Sequence, residues 1–182
     1  MKFNIIITIL IGTWVISSCS VGKYIPPTKI AHRALKNFEY DKSISVINIQ
    51  TDKTDYDLKY EGLVMNYYEL TENIVEGLKS ELKRIGIKSV NSENNKELKI
   101  RVSGFSISEA GVMHVVITGV LDTQIEMGNG EKENIKVVRA SGYGRFQTKA
   151  SRTKRVLNAC YKAIIQQIMQ NDEVQAYLRE LN

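Results

Sequence analysis

The chain has 182 residues, and its 25 lysine and arginine residues against 20 acidic residues give it a net charge of +5. Once an N-terminal signal has been removed, about 160 residues remain, which is enough for one compact domain and too few for two. Charges of both signs are interspersed along the sequence, which argues against a nucleic-acid-binding protein, because the cations of such proteins cluster.

Residues 1–18 predict a cleaved signal peptide. One cation, Lys2, precedes an apolar core that runs from Phe3 to Val15. A core of this length falls in the range of about 7 to 15 residues typical of a signal peptide, whereas a transmembrane helix needs roughly 20 apolar residues. The sequence therefore predicts export rather than a membrane span.

The signal ends in Ile16-Ser17-Ser18-Cys19, which resembles the bacterial lipobox. In a lipobox the cysteine thiol receives a diacylglycerol, and the signal is cut just before that cysteine. The resemblance implies that Cys19 becomes the lipidated first residue. Ser20 implies the outer membrane, because retention in the inner membrane typically requires Asp at that position. The alternative is an ordinary secreted protein with a cysteine near its cleavage site.

Residues 19–42 are predicted to form the lipid anchor and a tether. The pair Pro26-Pro27 favours an extended, stiff conformation. The apolar residues between Ile30 and Phe38 have the spacing of a short helix with a basic surface. Such a piece would lie either on an anionic membrane surface or, as a partly ordered linker, against the domain.

Residues 43–182 predict a single domain that begins with two strands. The segment 44–49 is β-branched and predicts a mostly buried strand, and 56–61 alternates between apolar and polar residues. Turn-forming residues at 51–55 predict that the two strands form a hairpin. A helix then begins between Tyr68 and Glu72 and ends at Gly86. Its predicted apolar stripe is Ile74, Val75, Leu78, Leu82 and Ile85.

Three further strands and a last helix complete the predicted domain. The third strand begins at Leu98 and is predicted to be parallel to the second, since a helix separates them. The fourth strand runs from about Val112 to Met127, and the fifth from about Ile135 to Gln147, with Gly119, Gly142 and Gly144 as predicted bending points. The last helix begins near Thr153, and Asn171 or Asp172 caps a short terminal helical segment. The predicted apolar stripe of the helix that begins near Thr153 is Val156, Leu157, Cys160, Ile164 and Ile168.

These elements predict an α+β fold of order β-β-α-β-β-β-α. Two helices are expected to cover one face of a mixed, mostly antiparallel, curved sheet of about five strands. With Cys19 acylated, Cys160 is the one remaining cysteine, so no intramolecular disulfide is predicted. Because Cys160 shares the apolar stripe of the last helix, it is predicted to be a buried structural thiol.

Several stretches of this domain resemble the YajG family of small bacterial lipoproteins. They are Glu81–Ile87, Arg139–Gln147, Val156–Ala159 and Asn171–Leu178. The resemblance covers most of the chain from about Ser43, and the family has no known catalytic residues to carry over. At the level of the fold, the predicted arrangement also looks like the lipoprotein partners of lipopolysaccharide transport and the auxiliary lipoproteins of ABC-type lipid transporters.

The sequence offers no well-supported catalytic, metal or cofactor site. Ser151-Arg152-Thr153-Lys154 has the S-x-x-K spacing of penicillin-interacting serine enzymes, but the sequence contains neither S-D-N nor K-T-G. His32 and His114 have no further ligand at a metal-binding spacing. Gly128-x-Gly130 is predicted to lie between two strands, where it cannot be a phosphate loop. We therefore expect no enzymatic activity, no metal and no cofactor.

A basic cluster at the start of the last helix is the predicted binding site. It consists of Lys149, Arg152, Lys154 and Arg155, with Arg145 as a further candidate. Cations here oppose the helix dipole by about 0.3 to 1 kcal/mol each before screening, whereas an anion bound at a helix N-terminus is stabilised. The alternative is a solvated turn without a ligand.

The sequence as a whole predicts a lipid-anchored protein on the periplasmic face of the outer membrane. It is expected to act as a non-catalytic binding or assembly module. The predicted partners are the membrane, through the anchor, and either an envelope protein or an anionic lipid, with no nucleic acid. The alternatives are an auxiliary lipoprotein of a lipid or lipopolysaccharide transporter and an envelope hydrolase.

Overall fold

The structure is a computed structural model that describes residues 43–53, 56–58, 63–90, 96–111, 115–142 and 149–180. The predicted signal peptide, Cys19 and the 19–42 tether lie outside these residues, as do His32, His114 and Arg145. The secondary-structure elements are β1 (Ser43–Asn48), β2 (Tyr56–Leu58), β3 (Leu63–Met65), α1 (Tyr67–Arg84), β4 (Lys88–Ser89), β5 (Glu97–Ala110), β6 (Val116–Met127), β7 (Lys132–Gly142), α2 (Lys149–Gln170) and α3 (Asp172–Arg179).

Five of the strands form one mixed sheet in the order β4-β1-β5-β6-β7. β1 is parallel to both neighbours, with Ser43 opposite Lys88 and Ser45 opposite Glu97. β5, β6 and β7 are successively antiparallel. The prediction of an α+β fold with a mixed, mostly antiparallel sheet is therefore confirmed. β2 and β3 form a separate antiparallel pair.

The predicted hairpin between the first two strands is wrong. β1 pairs with β4 and β5, whereas β2 pairs with β3. Three consecutive β1 residues, Ile44, Ser45 and Val46, are buried, which is typical of a parallel strand inside a sheet. The predicted parallel crossover exists, but it joins β1 rather than the second strand to β5. The two-residue β4 was not predicted, because both its residues are exposed and carry no apolar pattern.

α1 begins at Tyr67, one residue before the predicted range, because Asn66 caps it. The Asn66 side chain accepts a hydrogen bond from the Glu69 N–H at 2.8 Å. The helix ends at Arg84, and Gly86 follows with a φ of 92°, a conformation that favours glycine and ends helices. The predicted apolar stripe is buried except for Ile85, which is half-buried.

The two long strands β6 and β7 both begin elsewhere than predicted, β7 at Lys132, three residues before the prediction. Residues 112–114 and 143–147 of the predicted strands, with the predicted bending point Gly144, lie outside the described residues. β6 begins at Val116 and buries alternate residues, among them Ile117, Leu121 and Ile125, so one face of the sheet lies against the helices. The β6–β7 register is uninterrupted at Gly119. The irregularity of the sheet lies instead in β5, between Val102 and Gly104.

Gly119 allows α2 to approach the sheet closely. A Cβ atom at Gly119 would lie 2.7 Å from Val156 Cγ1 and 3.1 Å from Cys160 Sγ. α2 begins at Lys149, four residues before the prediction, and all five residues of its predicted apolar stripe are buried. α3 is a separate helix, which Asn171 caps by accepting from the Val174 N–H at 2.9 Å.

Two side-chain hydroxyls connect the helices to the sheet. The Thr71 hydroxyl donates to Tyr67 O at 2.8 Å and accepts from the Val102 N–H at 3.0 Å. The Tyr177 hydroxyl accepts from the N–H groups of Glu97 at 3.0 Å and Gly128 at 3.2 Å. Both hydroxyls therefore accept from strand N–H groups, although the Gly128 N–H also donates to the Glu97 carbonyl oxygen at 2.9 Å.

Within the described ranges, the helices are all too short or too polar to cross a membrane.

Candidate functional site

The basic cluster lies on the first turns of α2, at the end of the sheet where β7 finishes. Arg152 and Lys154 are half-buried and Arg155 is exposed. Arg152 and Arg155 are three residues apart, so they lie on the same side of the helix. Lys149 is the first residue of α2, but its side chain is outside the described part of the structure, as is all of Arg145.

The charges at the N-terminus of α2 are unusual. The first turn of α2 contains no acidic residue, although carboxylates are favoured there and cations are not. Thr153 lies between the arginines and is fully buried, and its Oγ1 atom has no hydrogen-bond partner among the residues that the structure describes. The S-x-x-K serine, Ser151, is exposed on the same turn.

Cys160 is confirmed as a buried thiol. Its side chain is fully buried, and the Sγ–H donates to the Gly119 carbonyl oxygen at 3.6 Å. Burial raises the pKa of the thiol from 9.0 to about 11, and the nearby Arg139 only partly opposes this effect. Because the thiolate is the nucleophilic form, the arrangement disfavours covalent chemistry at Cys160.

No group of three or more histidine, cysteine or acidic residues that could hold a metal ion occurs in the ranges that the structure covers.

An open groove of about 670 Å³ lies between the C-terminal half of α1 and the edge strand β4. We call it the α1–β4 groove. It is lined by Glu76, Lys79, Ser80 and Lys83 of α1 and by Lys88, Ser89 and Val90. Three lysines against one glutamate give this lining a net charge of +2. Lys79 Nζ bridges Glu76 Oε1 at 2.9 Å, while Lys83 and Lys88 are exposed at the protein surface.

Sequence reasoning missed this groove. The α1 residues that line it recur at i, i+3, i+4 and i+7, so they form a stripe beside the apolar stripe. That spacing was visible in the sequence, but a charged stripe on a helix ordinarily indicates a solvated face. β4, which forms the other wall, was not predicted at all.

The C-terminal turn of α1 is fixed beside the groove by a buried carboxylate. Glu81 is only 1% exposed, and Arg84 Nε donates to its Oε2 at 3.0 Å. A carboxylate that is buried with a charged partner holds the local backbone in one arrangement, because separating the pair leaves an uncompensated charge.

Comparison with known proteins identifies the family. Residues 59–179, more than half of the chain, match the model of a family described as uncharacterized lipoprotein. The chain belongs to this lipoprotein family. It is accordingly a bacterial envelope lipoprotein, in agreement with the prediction from the sequence. No curated protein matches the chain.

Solved structures of other bacterial proteins resemble the fold. A minor lipoprotein from Acinetobacter baumannii is 18% identical, with 77% of this chain and 95% of that chain covered and a TM-score of 0.45. The rare lipoprotein B from Shewanella oneidensis is 12% identical, with 76% and 94% covered and a TM-score of 0.40. A protein from Xanthomonas campestris is 11% identical, with 85% and 96% covered and a TM-score of 0.48.

Proposed function

We propose that this lipoprotein is anchored in the outer membrane by a lipid on Cys19, faces the periplasm, and acts as a non-catalytic binding or assembly module. The observation that supports the anchor is membership of a lipoprotein family in a chain that carries Ile16-Ser17-Ser18-Cys19 after an apolar core. In this proposal residues 1–18 are the signal peptide, 19–42 the tether and 43–182 the domain. The stretches Glu81–Ile87 and Arg139–Gln147 support a YajG-like assignment within such lipoproteins.

The non-catalytic role is supported by how the polar groups of the described residues are used. The hydroxyls of Thr71 and Tyr177 bind backbone amides of the sheet, and the buried Glu81 binds Arg84. The Cys160 thiol is buried and has a raised pKa. These groups serve the fold, because each has a partner inside the domain that fixes it in place.

The lining of the α1–β4 groove favours a binding module over a lipid carrier. A carrier would enclose acyl chains in an apolar cavity, as ligand pockets are mostly lined by hydrophobic side chains. This groove is open rather than enclosed, and among the described residues its lining consists of three lysines, two serines, one glutamate and one valine. A protein or headgroup partner therefore fits the described residues better than a transported lipid.

Labelling and fractionation test the anchor. Wild-type protein is expected to incorporate labelled palmitate and to sediment with the outer membrane, whereas Cys19→Ala is expected to do neither. Ser20→Asp is the matched control for sorting: it should still be labelled but move to the inner-membrane fraction. Unchanged labelling of Cys19→Ala would contradict the lipoprotein anchor, and an unchanged location of Ser20→Asp would contradict the proposed sorting.

The basic cluster is the predicted docking surface for anions of the envelope. Arg152, Lys154 and Arg155 place formal positive charge at a helix start that has no acidic residue in its first turn, and the dipole favours anions at the same place. The candidates are phospholipid and lipopolysaccharide phosphates and acidic patches of proteins. Such binding weakens as salt is added, because exposed charges are screened.

A quadruple variant tests the cluster. Replacing Lys149, Arg152, Lys154 and Arg155 by Gln should leave the thermal midpoint nearly unchanged and reduce binding to anionic vesicles about tenfold at low salt. The control replaces Lys96, Lys132, Lys136 and Lys162 by Gln, which changes the net charge equally. If the two variants bind vesicles alike, the effect is one of net charge and the cluster is a solvated turn.

A further inference from the structure

We infer that the α1–β4 groove binds an extended, acidic segment of a partner protein, which adds as a further strand to the open edge of β4. The inference rests on the proposed function, since it gives the binding module a site and a class of partner. It concerns a different surface from the basic cluster. The groove lies at the end of the sheet where β1 begins, because Ser43 is opposite Lys88, whereas α2 starts at the other end.

The first argument is the backbone of β4. This strand is at the edge of the sheet, and its second side pairs with no strand among the described residues. The Val90 N–H donates to Ile44 O at 3.0 Å, so it points toward β1. Because successive N–H groups of a strand point to opposite edges, the N–H of Ser89 points outward. An open edge of this kind is a template for pairing with another chain.

The second argument is charge. The lining has three lysines and one glutamate, and that glutamate, Glu76, already pairs with Lys79. The net positive lining is complementary to a segment with carboxylates. Charged side chains around an exposed edge also disfavour uncontrolled aggregation, so the lysines select for an acidic strand while they discourage pairing with apolar ones.

The third argument is spacing. Lys79 and Lys83 are four residues apart on α1, which corresponds to about 6 Å along the helix axis. Alternate residues of an extended chain point to the same side and are about 6.8 Å apart. In an extended segment with acidic residues at alternate positions, the distance between successive carboxylates therefore nearly matches the distance between Lys79 and Lys83. A single phosphate headgroup would satisfy the charge but would leave the Ser89 amide unused.

Binding of synthetic peptides to the purified full chain in detergent micelles tests the inference. The probe is a fluorescent peptide of alternating Glu and Val residues, and the control is the same peptide with Lys in place of Glu. Fluorescence anisotropy should show that the Glu peptide binds about tenfold or more tightly than the Lys peptide, and that its binding weakens with salt. Equal binding of the two peptides would overturn the inference.

Backbone methylation separates strand addition from simple charge attraction. Two versions of the Glu peptide carry N-methyl groups either on all the Glu residues or on all the Val residues, so each version blocks one edge of the extended peptide. Because a strand uses one edge to pair, one version should lose binding about tenfold and the other should retain it. If both bind as the unmodified peptide does, no strand is added and the inference fails.

Variants of the protein locate the site. Lys83→Glu with Lys88→Glu should weaken binding of the Glu peptide about tenfold or more, whereas Lys132→Glu with Lys136→Glu, on β7 at the opposite edge, should leave it within about twofold. Ser89→Pro should remove binding, because it deletes the outward N–H, and Ser89→Ala should retain it. If the proline variant misfolds, the methylated peptides still test strand addition, because they are used with the wild-type protein.

The result is independent of the anchor tests, because it uses purified protein and does not depend on palmitate labelling or sorting. Loss of labelling in Cys19→Ala together with no binding of the Glu peptide would leave the lipoprotein proposal intact and overturn the groove inference alone. Binding of anionic vesicles in place of the Glu peptide, reduced by Lys83→Glu with Lys88→Glu, would also overturn it in favour of a headgroup site.

Discussion

Two side-chain hydroxyls of this domain make hydrogen bonds to the sheet that the sequence alone does not predict. Tyr177 is predictable as a core residue from its spacing in α3, but its hydroxyl also accepts hydrogen bonds from two backbone N–H groups, at the start of β5 and just after the end of β6. Thr71 similarly lies at a buried helix position and accepts from the Val102 N–H next to the irregularity in β5. These contacts were not predictable, because they depend on how the helices lie across the strands.

Tyr177→Phe should lower the free energy of unfolding by about 1 to 3 kcal/mol. The change keeps the ring and removes the acceptor of the Glu97 N–H, whereas the Gly128 N–H keeps the Glu97 carbonyl oxygen as an acceptor at 2.9 Å. A backbone donor that loses its acceptor inside the protein costs about that much. Urea denaturation followed by circular dichroism measures the effect. Tyr68→Phe is the control: its hydroxyl has no hydrogen-bond partner among the described residues, and the ring would keep its contact with Lys53. Equal effects of the two variants would contradict the role of Tyr177.

The Cys160 thiol should make the domain less stable in alkaline solution. Its pKa is about 11 in the folded protein and near 9.0 when exposed, so above pH 9 the unfolded chain loses the proton first. The folded state then binds more protons, and stability falls as pH rises from about 9 to 11, by an amount of the order of 2 kcal/mol. Below pH 9 the thiol adds no pH dependence.

Comparing wild type with Cys160→Ala isolates this effect. Burial also raises the pKa of Tyr161, which adds a loss of stability at alkaline pH in both proteins. Cys160 is a minor cause of the Tyr161 shift, after burial. The difference in unfolding free energy between the two proteins should therefore change with pH mainly across the cysteine window, from about pH 9 to pH 11. A difference that is constant from pH 8 to pH 11 would contradict the raised pKa.

At the scale of elements, the contact between α2 and β6 depends on the missing side chain of Gly119. The glycine lies beneath Val156 and Cys160, at distances that a Cβ atom could not occupy without movement of the Val156 side chain or of α2. In the sequence the same glycine predicted a bend, since an isolated glycine in a strand has several uses. The sequence could not distinguish a bend at Gly119 from a close contact with a helix, because that distinction depends on where α2 lies.

Gly119→Ala should destabilise the domain by about 1 to 3 kcal/mol, because the new methyl group overpacks the interface with Val156. The double variant Gly119→Ala with Val156→Ala should be less destabilised than the sum of the single variants, by about 0.5 kcal/mol or more, since the second change makes room for the first. Thermal or urea unfolding of the four proteins provides the double-mutant cycle. Strict additivity would show that the methyl group is accommodated elsewhere.

The elements themselves were predictable to different degrees. α1, α2 and the cap of α3 followed from the spacing of apolar residues and from Asn171, because helices are determined locally. The pairing of β1 was not predictable in the same way, since its partner β5 is about fifty residues further along the chain. The α1–β4 groove was also missed. One of its walls is a charged helix face, and the other is a two-residue strand that was not predicted.

For the molecule as a whole, one buried apolar layer between helices and sheet supplies the stability. Ile164 on α2 is fully buried in that layer. Ile164→Asp should lower the free energy of unfolding by more than about 3 kcal/mol, because it buries an uncompensated charge. Gln166→Asp, at an exposed position of the same helix, should cost less than about 1 kcal/mol. A cooperative unfolding transition at the wild-type temperature for Ile164→Asp would contradict this description of the core.

The position of β1 inside the sheet also dictates an order of events during synthesis. The first strand to be made has neither of its neighbours at that time, since β4 begins at Lys88 and β5 at Glu97. Its backbone edges stay unpaired until both have been made, a delay typical of sheets with distant pairings. A nascent chain that has reached only the end of α1 therefore exposes a strand with two open edges, which is the form most prone to association with other chains. Completion of β5 ends this vulnerable interval.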